Sequence, residues 1–192
     1  MVIADRVSGR PAFNPAWRLI AQYCEGPVQH KLMPRAQAEA EAVTLYREMR
    51  LPEPDRIGAR FPHQVSGGQL QRAMTAMSMS CHPELLIFDE PTTALDVTTQ
   101  IEVLAAIREV VRRHNAAAIY ITHDLAVVAQ MADRIKVLLK GREVEEAPTR
   151  EMLAAPREDY TRSLWAVRNF QPAPRPDTAP PAPILQIQNV SA

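Results

Sequence analysis

Residues 83–100 read "PELLIFDEPTTALDVTTQ". The apolar run Leu85–Phe88 stops at two adjacent carboxylates, Asp89 and Glu90, and a helix-forming stretch follows directly. A short continuous apolar run of this kind is the pattern of a parallel strand buried on both faces. The unit then repeats. The helical "TTQIEVLAAIREVVRRHN" leads to a second apolar run, "AAAIYITHD", then to the helical "LAVVAQMAD" and the strand-like "RIKVLLKGREVEEA". Strands alternating with helices of this length predict an α/β domain with a mostly parallel sheet, whose functional groups emerge at the strands' carboxyl ends. Asp89, Glu90 and His123 all fall at such ends.

Upstream, the pattern changes to helices. "NPAWRLIAQYCEG" offers Asn14 as an N-cap with Pro15 in the first turn, and "RAQAEAEAVTLYREM" is rich in strong helix formers. The proline-broken "RLPEPDRIGARFPHQ" reads as a loop, and Gln69–Ser80 as a closely packed helix rich in Met and Ala. Downstream, "QPAPRPDTAPPAP" cannot hold a core and predicts an extended linker, after which "ILQIQNV" alternates as a half-exposed strand does. The "MVI" at the start resembles the end of a buried strand.

The strand-end carboxylates carry a specific chemistry. Asp89 can hold Mg²⁺ through water, and Glu90 can orient or deprotonate an attacking water. Strand alternation points the two to opposite faces, so each can serve its own role. The same pair also suits capping the next helix or facing solvent. His123 ends the neighbouring apolar run, which gives it a place at the same sheet edge. His30, His63, His82 and His114 lie in loop-like or polar contexts and are read as structural or surface residues. Ser66-Gly67-Gly68-Gln69 also reads in two compatible ways. Ser66 and Gln69 form a capping box, and the two glycines expose backbone amides at a helix N-terminus, a ready anion receptor.

Composition narrows the function classes. The 192-residue chain is 46% hydrophobic, enough for a real core, and its 22 Lys+Arg balance 22 Asp+Glu. That neutrality provides no basic field to draw in a nucleic-acid backbone or an anionic membrane. No apolar run approaches the roughly 20 residues needed to span a bilayer. The N-terminus lacks the apolar core and cleavage site of a secretory signal. Cys24 and Cys81 have no metal-ligand spacing and read as reduced, structural thiols.

The ordered set "VSGGQLQR", "PELLIFDEPTTALDVTTQ" and "AIYITHDLAVV" resembles the ATP-binding cassette (ABC) family in its signature motif, Walker B strand, D-loop and H-loop. The resemblance covers residues 12–168. "DEPTTALDVTTQ" and the tail "GREVEEAPTREMLAAPREDYTRSL" are similar to the branch that imports oligopeptides, dipeptides and nickel. It implies a partial P-loop NTPase fold with a small helical subdomain, binding ATP and Mg²⁺. Its implied residue roles are Glu90 as catalytic carboxylate, His123 as the switch residue at the γ-phosphate, and Asp89 at Mg²⁺. Asp96 would be the D-loop aspartate linking two nucleotide sites. Ser66, Gly67, Gly68 and Gln69 would close over ATP on an opposite cassette. Implied partners are a second ABC cassette, in a dimer or tandem, and transmembrane permease subunits that the helical region docks, with no nucleic acid. The implied location is cytoplasmic, peripheral on the inner face of the membrane through those permeases.

The expected organisation is a cassette portion over 1–170. It divides into a helical subdomain and signature loop over 12–70, a Walker B to H-loop core over 71–146 and an importer-like tail over 147–170. A linker over 171–183 and the start of a second cassette over 184–192 complete it. Two departures stand out. A P-loop needs Gly-Lys-Ser or Gly-Lys-Thr, and the three lysines, Lys31, Lys136 and Lys140, follow His30, Ile135 and Leu139. The family's strand-ending glutamine, which contacts Mg²⁺, is replaced by Ala4. Both fit Met1 as an internal methionine of a longer cassette. The chain alone is then expected not to bind ATP tightly. Alternatives are a non-catalytic fragment pairing with an intact cassette, or a non-transport ABC ATPase. The latter would need coiled-coil or zinc-binding insertions, or a basic interdomain arm, that the sequence does not show.

Overall fold

The computed structural model describes residues 3–8, 13–92 and 95–168. The expected linker, the strand-like Ile184–Val190 and the reading of Met1 and Val2 therefore lie outside the described residues. Three parallel strands form the main sheet in the order β1 (Ile3–Ser8), β2 (Leu85–Asp89), β3 (Ala117–Ile121). Between β1 and β2 lie α1 (Leu19–Gln29), α2 (Arg35–Glu48), the short α3 (Pro54–Ile57) and α4 (Gly67–Met79). The segment read as a proline-broken loop thus holds a helical turn, with Pro54 at its start, where a missing N–H costs nothing. The β2–β3 crossover is α5 (Val97–Arg113).

One sheet face is sealed. Leu86 and Phe88 are fully buried against Ala73, Met74, Ala76 and Met79 of α4 and Val103, Ala106, Ile107 and Val110 of α5. Phe88 stands opposite Tyr120 in the β2–β3 register, and their rings stack 4.7 Å apart. Such a cross-strand aromatic pair contributes about 0.5–1 kcal/mol beyond burial. The other face, expected to be buried too, is half open among the described residues: Leu85 and Ile87 are intermediate, and Ile119 and Ile121 are about half exposed.

Three expectations need correction. Asn14 does not cap α1. Its side chain accepts the Ala16 amide and its carbonyl the Trp17 amide, a local turn that an Asn favours, and α1 begins at Leu19 after Arg18. The stretch "RIKVLLKGREVEEA" is two strands, β4 (Arg134–Leu139) and β5 (Arg142–Pro148), paired antiparallel. Lys140 and Gly141 both take positive φ, 50° and 77°, which closes a two-residue hairpin whose twist matches its strands. Finally, β1 runs on to Ser8, which lies beside Asp89 in register, so Ala4 is inside the strand and not at its end.

The hairpin builds a second small core. Ile135, Val137, Ala147 and Met152 pack with Val128 of α6 (Leu125–Met131) and with Tyr160, Leu164 and Trp165 of α8 (Asp159–Arg168). Met152 belongs to α7 (Thr149–Ala154). Cys24 and Cys81 are both free thiols.

Candidate functional site

The carboxyl ends of β2 and β3 gather the acidic pair and the histidine. Asp89 is the last residue of β2, and Glu90 lies just beyond it at φ 49°. That left-handed conformation is rare for a residue with a Cβ and marks a constrained position. It replaces simple strand alternation as the determinant of where Glu90 points. The Glu90 amide donates to the Ile121 carbonyl at 2.8 Å, extending the β2–β3 pairing by one bond. Across that seam, Nδ1 of His123 lies 2.8 Å from Oε1 of Glu90. A carboxylate only accepts, so the proton of this bond sits on Nδ1 and leaves Nε2 for another partner. The His123 side chain is 80% exposed and that of Glu90 44%, so both are reachable from solvent.

The loops behind this pair are tied together. Nε2 of Gln100, on α5, donates to Oγ1 of Thr92 at 3.2 Å and to Oδ2 of Asp124 at 3.0 Å. Asp124 also caps α6, accepting the Ala126 amide at 2.8 Å and the Val127 amide at 3.4 Å through Oδ1. Partial burial pushes the Asp124 carboxyl up, but the Gln100 amide and the two backbone amides outweigh it and hold it below the usual carboxylate range. Thr92, Gln100 and Asp124 were not singled out in the sequence. The available signal was weak, because a Gln on a helix face has no fixed partner in one dimension.

Asp96 is the N-cap of α5, with Oδ1 accepting the Thr99 amide at 2.9 Å. The Thr99 hydroxyl and amide hold its carboxyl below the ordinary value. In this chain its side chain is occupied with capping.

Ser66–Gln69 forms the expected capping box at the start of α4: the Ser66 hydroxyl accepts the Gln69 amide at 3.3 Å, and the Gln69 side chain accepts the Ser66 amide at 3.1 Å. Those two amides are satisfied within the box, and the amides of Gly67 and Gly68 stand at the helix N-terminus, where an anion is favoured. The two glycines differ in their surroundings. A Cβ on Gly68 would lie 2.3 Å from Cγ2 of Thr99, whereas one on Gly67 would meet Leu95 at an ordinary 3.4 Å. The signature loop is therefore seated on the segment that Asp96 caps, and Gly68 is required by helix packing.

Two of the remaining histidines have carboxylate partners. His82 Nε2 lies 2.6 Å from Glu41, and His114 Nε2 lies 2.8 Å from Glu48, which also receives Arg113 at 3.0 Å. Both pairs brace α2 against the loops that lead into β2 and β3, which supports their structural reading.

The residues suit a magnesium ion better than they suit the phosphates of a nucleotide. Among the described residues no cluster of three or more His, Cys, Asp or Glu could cage a metal. Mg²⁺ prefers one or two carboxylates with the remaining ligands from phosphates and water, which Asp89 at the strand end suits. None of the three lysines can grip phosphates. Lys136 is engaged on β4 with Glu143 and Glu146 at 2.9 and 3.0 Å, Lys140 sits in the hairpin turn, and Lys31 follows α1.

Known proteins resemble this chain in sequence and in fold. A family model described as "ABC transporter" matches residues 7–93. The glutathione import ATP-binding protein GsiA of Pectobacterium atrosepticum is 44% identical over 155 residues, which is 81% of this chain and 25% of that protein. The oligopeptide transport ATP-binding protein OppD of Lactococcus lactis is 43% identical over 153 residues, 80% of this chain and 45% of that one. The chain thus spans a quarter to less than half of these relatives. In fold, it superposes on a metal-chelate type ABC transporter solved in an inward-facing conformation, with a TM-score of 0.67 at 23% identity, covering 79% of this chain and 59% of the other. Among the described residues, no helix is long and apolar enough to cross a membrane.

Proposed function

The chain belongs to the ABC transporter ATP-binding family, and from that premise we propose that it serves an importer of peptides or peptide-like solutes by contributing to ATP hydrolysis at a cassette interface. The observation that carries this is the 2.8 Å contact of His123 with Glu90 at the carboxyl ends of adjacent parallel strands. Kinship with glutathione and oligopeptide import proteins supports the solute class.

ATP supplies the γ-phosphoryl group, and Mg²⁺ neutralises the charge on it. Glu90 orients the attacking water and receives its proton. His123 holds the Glu90 carboxylate through Nδ1–H, and its other ring nitrogen would be available to the phosphate. Asp89 would hold the metal. Ser66–Gln69 acts in trans, with the amides of Gly67 and Gly68 closing on the phosphate of a second cassette, and Asp96 keeps α5, and with it the loop's seat, in register. The 192 residues hold no phosphate-gripping Gly-Lys-Ser or Gly-Lys-Thr loop, so Glu90, His123 and Asp89 act only where such a loop is supplied beside them, and the contribution the chain can make unaided is that of Ser66–Gln69 to a partner's nucleotide. Docking of α1 and α2 on permease subunits would place the protein at the cytoplasmic membrane face.

The deciding experiment mixes the full chain with an oligopeptide-type cassette whose own signature-loop serine is replaced by arginine. We expect the chain to raise ATP hydrolysis by roughly a hundredfold over the damaged cassette alone, the scale of one set of charge-stabilising donors. Ser66→Arg in the chain should abolish the gain. A folded chain that restores nothing overturns the proposal.

A further inference from the structure

Glu90 and His123 stand on different loops, and the bond between them holds only if those loops keep a fixed spacing. Gln100 belongs to neither loop. Its side-chain amide has two hydrogens, and both are used: one on Thr92, two residues after Glu90, and one on Asp124, directly after His123. The partners are themselves anchored. Thr92 is buried, Asp124 caps α6 with its other oxygen, and the Asp124 amide donates to the Thr122 hydroxyl at 3.0 Å. Gln100 lies in the first turn of α5, the helix that Asp96 caps and that packs on the buried sheet face. The amide is thus a fork with a rigid handle.

We propose that Gln100 is a positioning residue that sets the spacing of the Glu90 and His123 loops and thereby holds the Nδ1–H bond of His123 on Glu90. The proposal rests on the reading that these two residues work as a pair. Its structural consequence is nevertheless independent of nucleotide. With the fork in place, the neutral imidazole is kept in the Nδ1–H tautomer. Without it, the exposed ring is released to the Nε2–H form that histidine favours in water. A residue that merely satisfied Thr92 and Asp124 would leave the tautomer unchanged.

The test reads the tautomer of His123 by imidazole ¹⁵N NMR at pH 8 on the full chain, with the resonance identified by its loss in His123→Gln. We expect Nδ1–H to dominate in the native chain. Gln100→Ala should lower the ratio of Nδ1–H to Nε2–H by roughly threefold to tenfold, the worth of one ordinary hydrogen bond. Gln100→Glu combined with Asp124→Asn reverses donor and acceptor across the same gap and should restore the native ratio, while Gln100→Glu alone should not. A native ratio in a folded Gln100→Ala protein overturns the proposal, and so does a folded double variant with the released tautomer. If Gln100→Ala does not fold, the double variant decides by itself. Because no nucleotide is present, failure here leaves the ATPase reading to its own complementation assay, and failure there leaves this measurement intact.

Discussion

Gly68 sits where α4 meets α5, and the 2.3 Å that would separate its Cβ from Thr99 Cγ2 is far inside any tolerated contact. Gly68→Ala must push α4 off α5 or force the Thr99 side chain from its rotamer, a net loss of about 1–2 kcal/mol even after the helix propensity gained by Ala. Thr99→Ser removes the offending methyl and should recover most of that loss, while Gly67→Ala should change stability by less than about 0.5 kcal/mol. Urea unfolding of the four proteins checks this. The prediction separates two glycines that the sequence presents as equivalent. As letters, Gly67 and Gly68 both answer to a phosphate, and nothing in the order of residues says that one of them also answers to a methyl 31 positions away. The same holds for His82 and His114. Their loop contexts were legible, but their carboxylate partners on α2 were not, because a side-chain pair across 41 or 66 residues has no local signature.

At the level of elements, the hairpin and the tail depend on one carboxylate. Glu145, on β5, accepts the amides of Arg157 at 2.9 Å and Glu158 at 3.1 Å, just before α8. The Arg157 amide above all holds its carboxyl below the ordinary glutamate value. The folded form is therefore favoured when Glu145 is ionised. That contribution is full above the unfolded value of about 4.3 and is lost as pH falls through the lower folded value. Hydrogen exchange at the Arg157 and Glu158 amides should thus lose protection, relative to the rest of α8, in acid below about pH 4. Glu145→Gln should lower protection at pH 7 and remove the acid-dependent step. A step that persists in this variant would point to another group. Sequence pattern foresaw strand character here but not the reversal at Lys140-Gly141. A long apolar-polar run reads alike whether it continues or folds back, and the two positive φ values are a property of the closed hairpin.

Across the whole molecule, the main sheet has one sealed face and one half-open face. Ile119 is 48% exposed and Ile121 51%, both on the strand at the sheet's edge among those described. Contiguous apolar side chains on an edge strand promote association. The joint substitution Ile119→Thr and Ile121→Thr should reduce concentration-dependent association in sedimentation and lower dye binding to apolar surface, with a stability change below about 1 kcal/mol. Unchanged association would place the sticky surface elsewhere.

The sequence by itself determined the local chemistry and its order: a short apolar run that reads as a strand, carboxylates at its end, a capping box opening a helix, and the succession of motifs that reveals the family. These are short-range properties, fixed by periodicity, capping and adjacent residue types. The tertiary structure decided which of those groups meet. It put His123 on Glu90, turned Glu90 by a left-handed backbone, spent Asp96 on a cap, reserved Gly68 for Thr99 and brought Gln100 behind the pair. Apart from the Asp96 cap and the Glu90 backbone, which are local, these contacts join residues whose separation in the chain is bridged only when strands pair and helices pack, and that pairing is set by burial of the whole core.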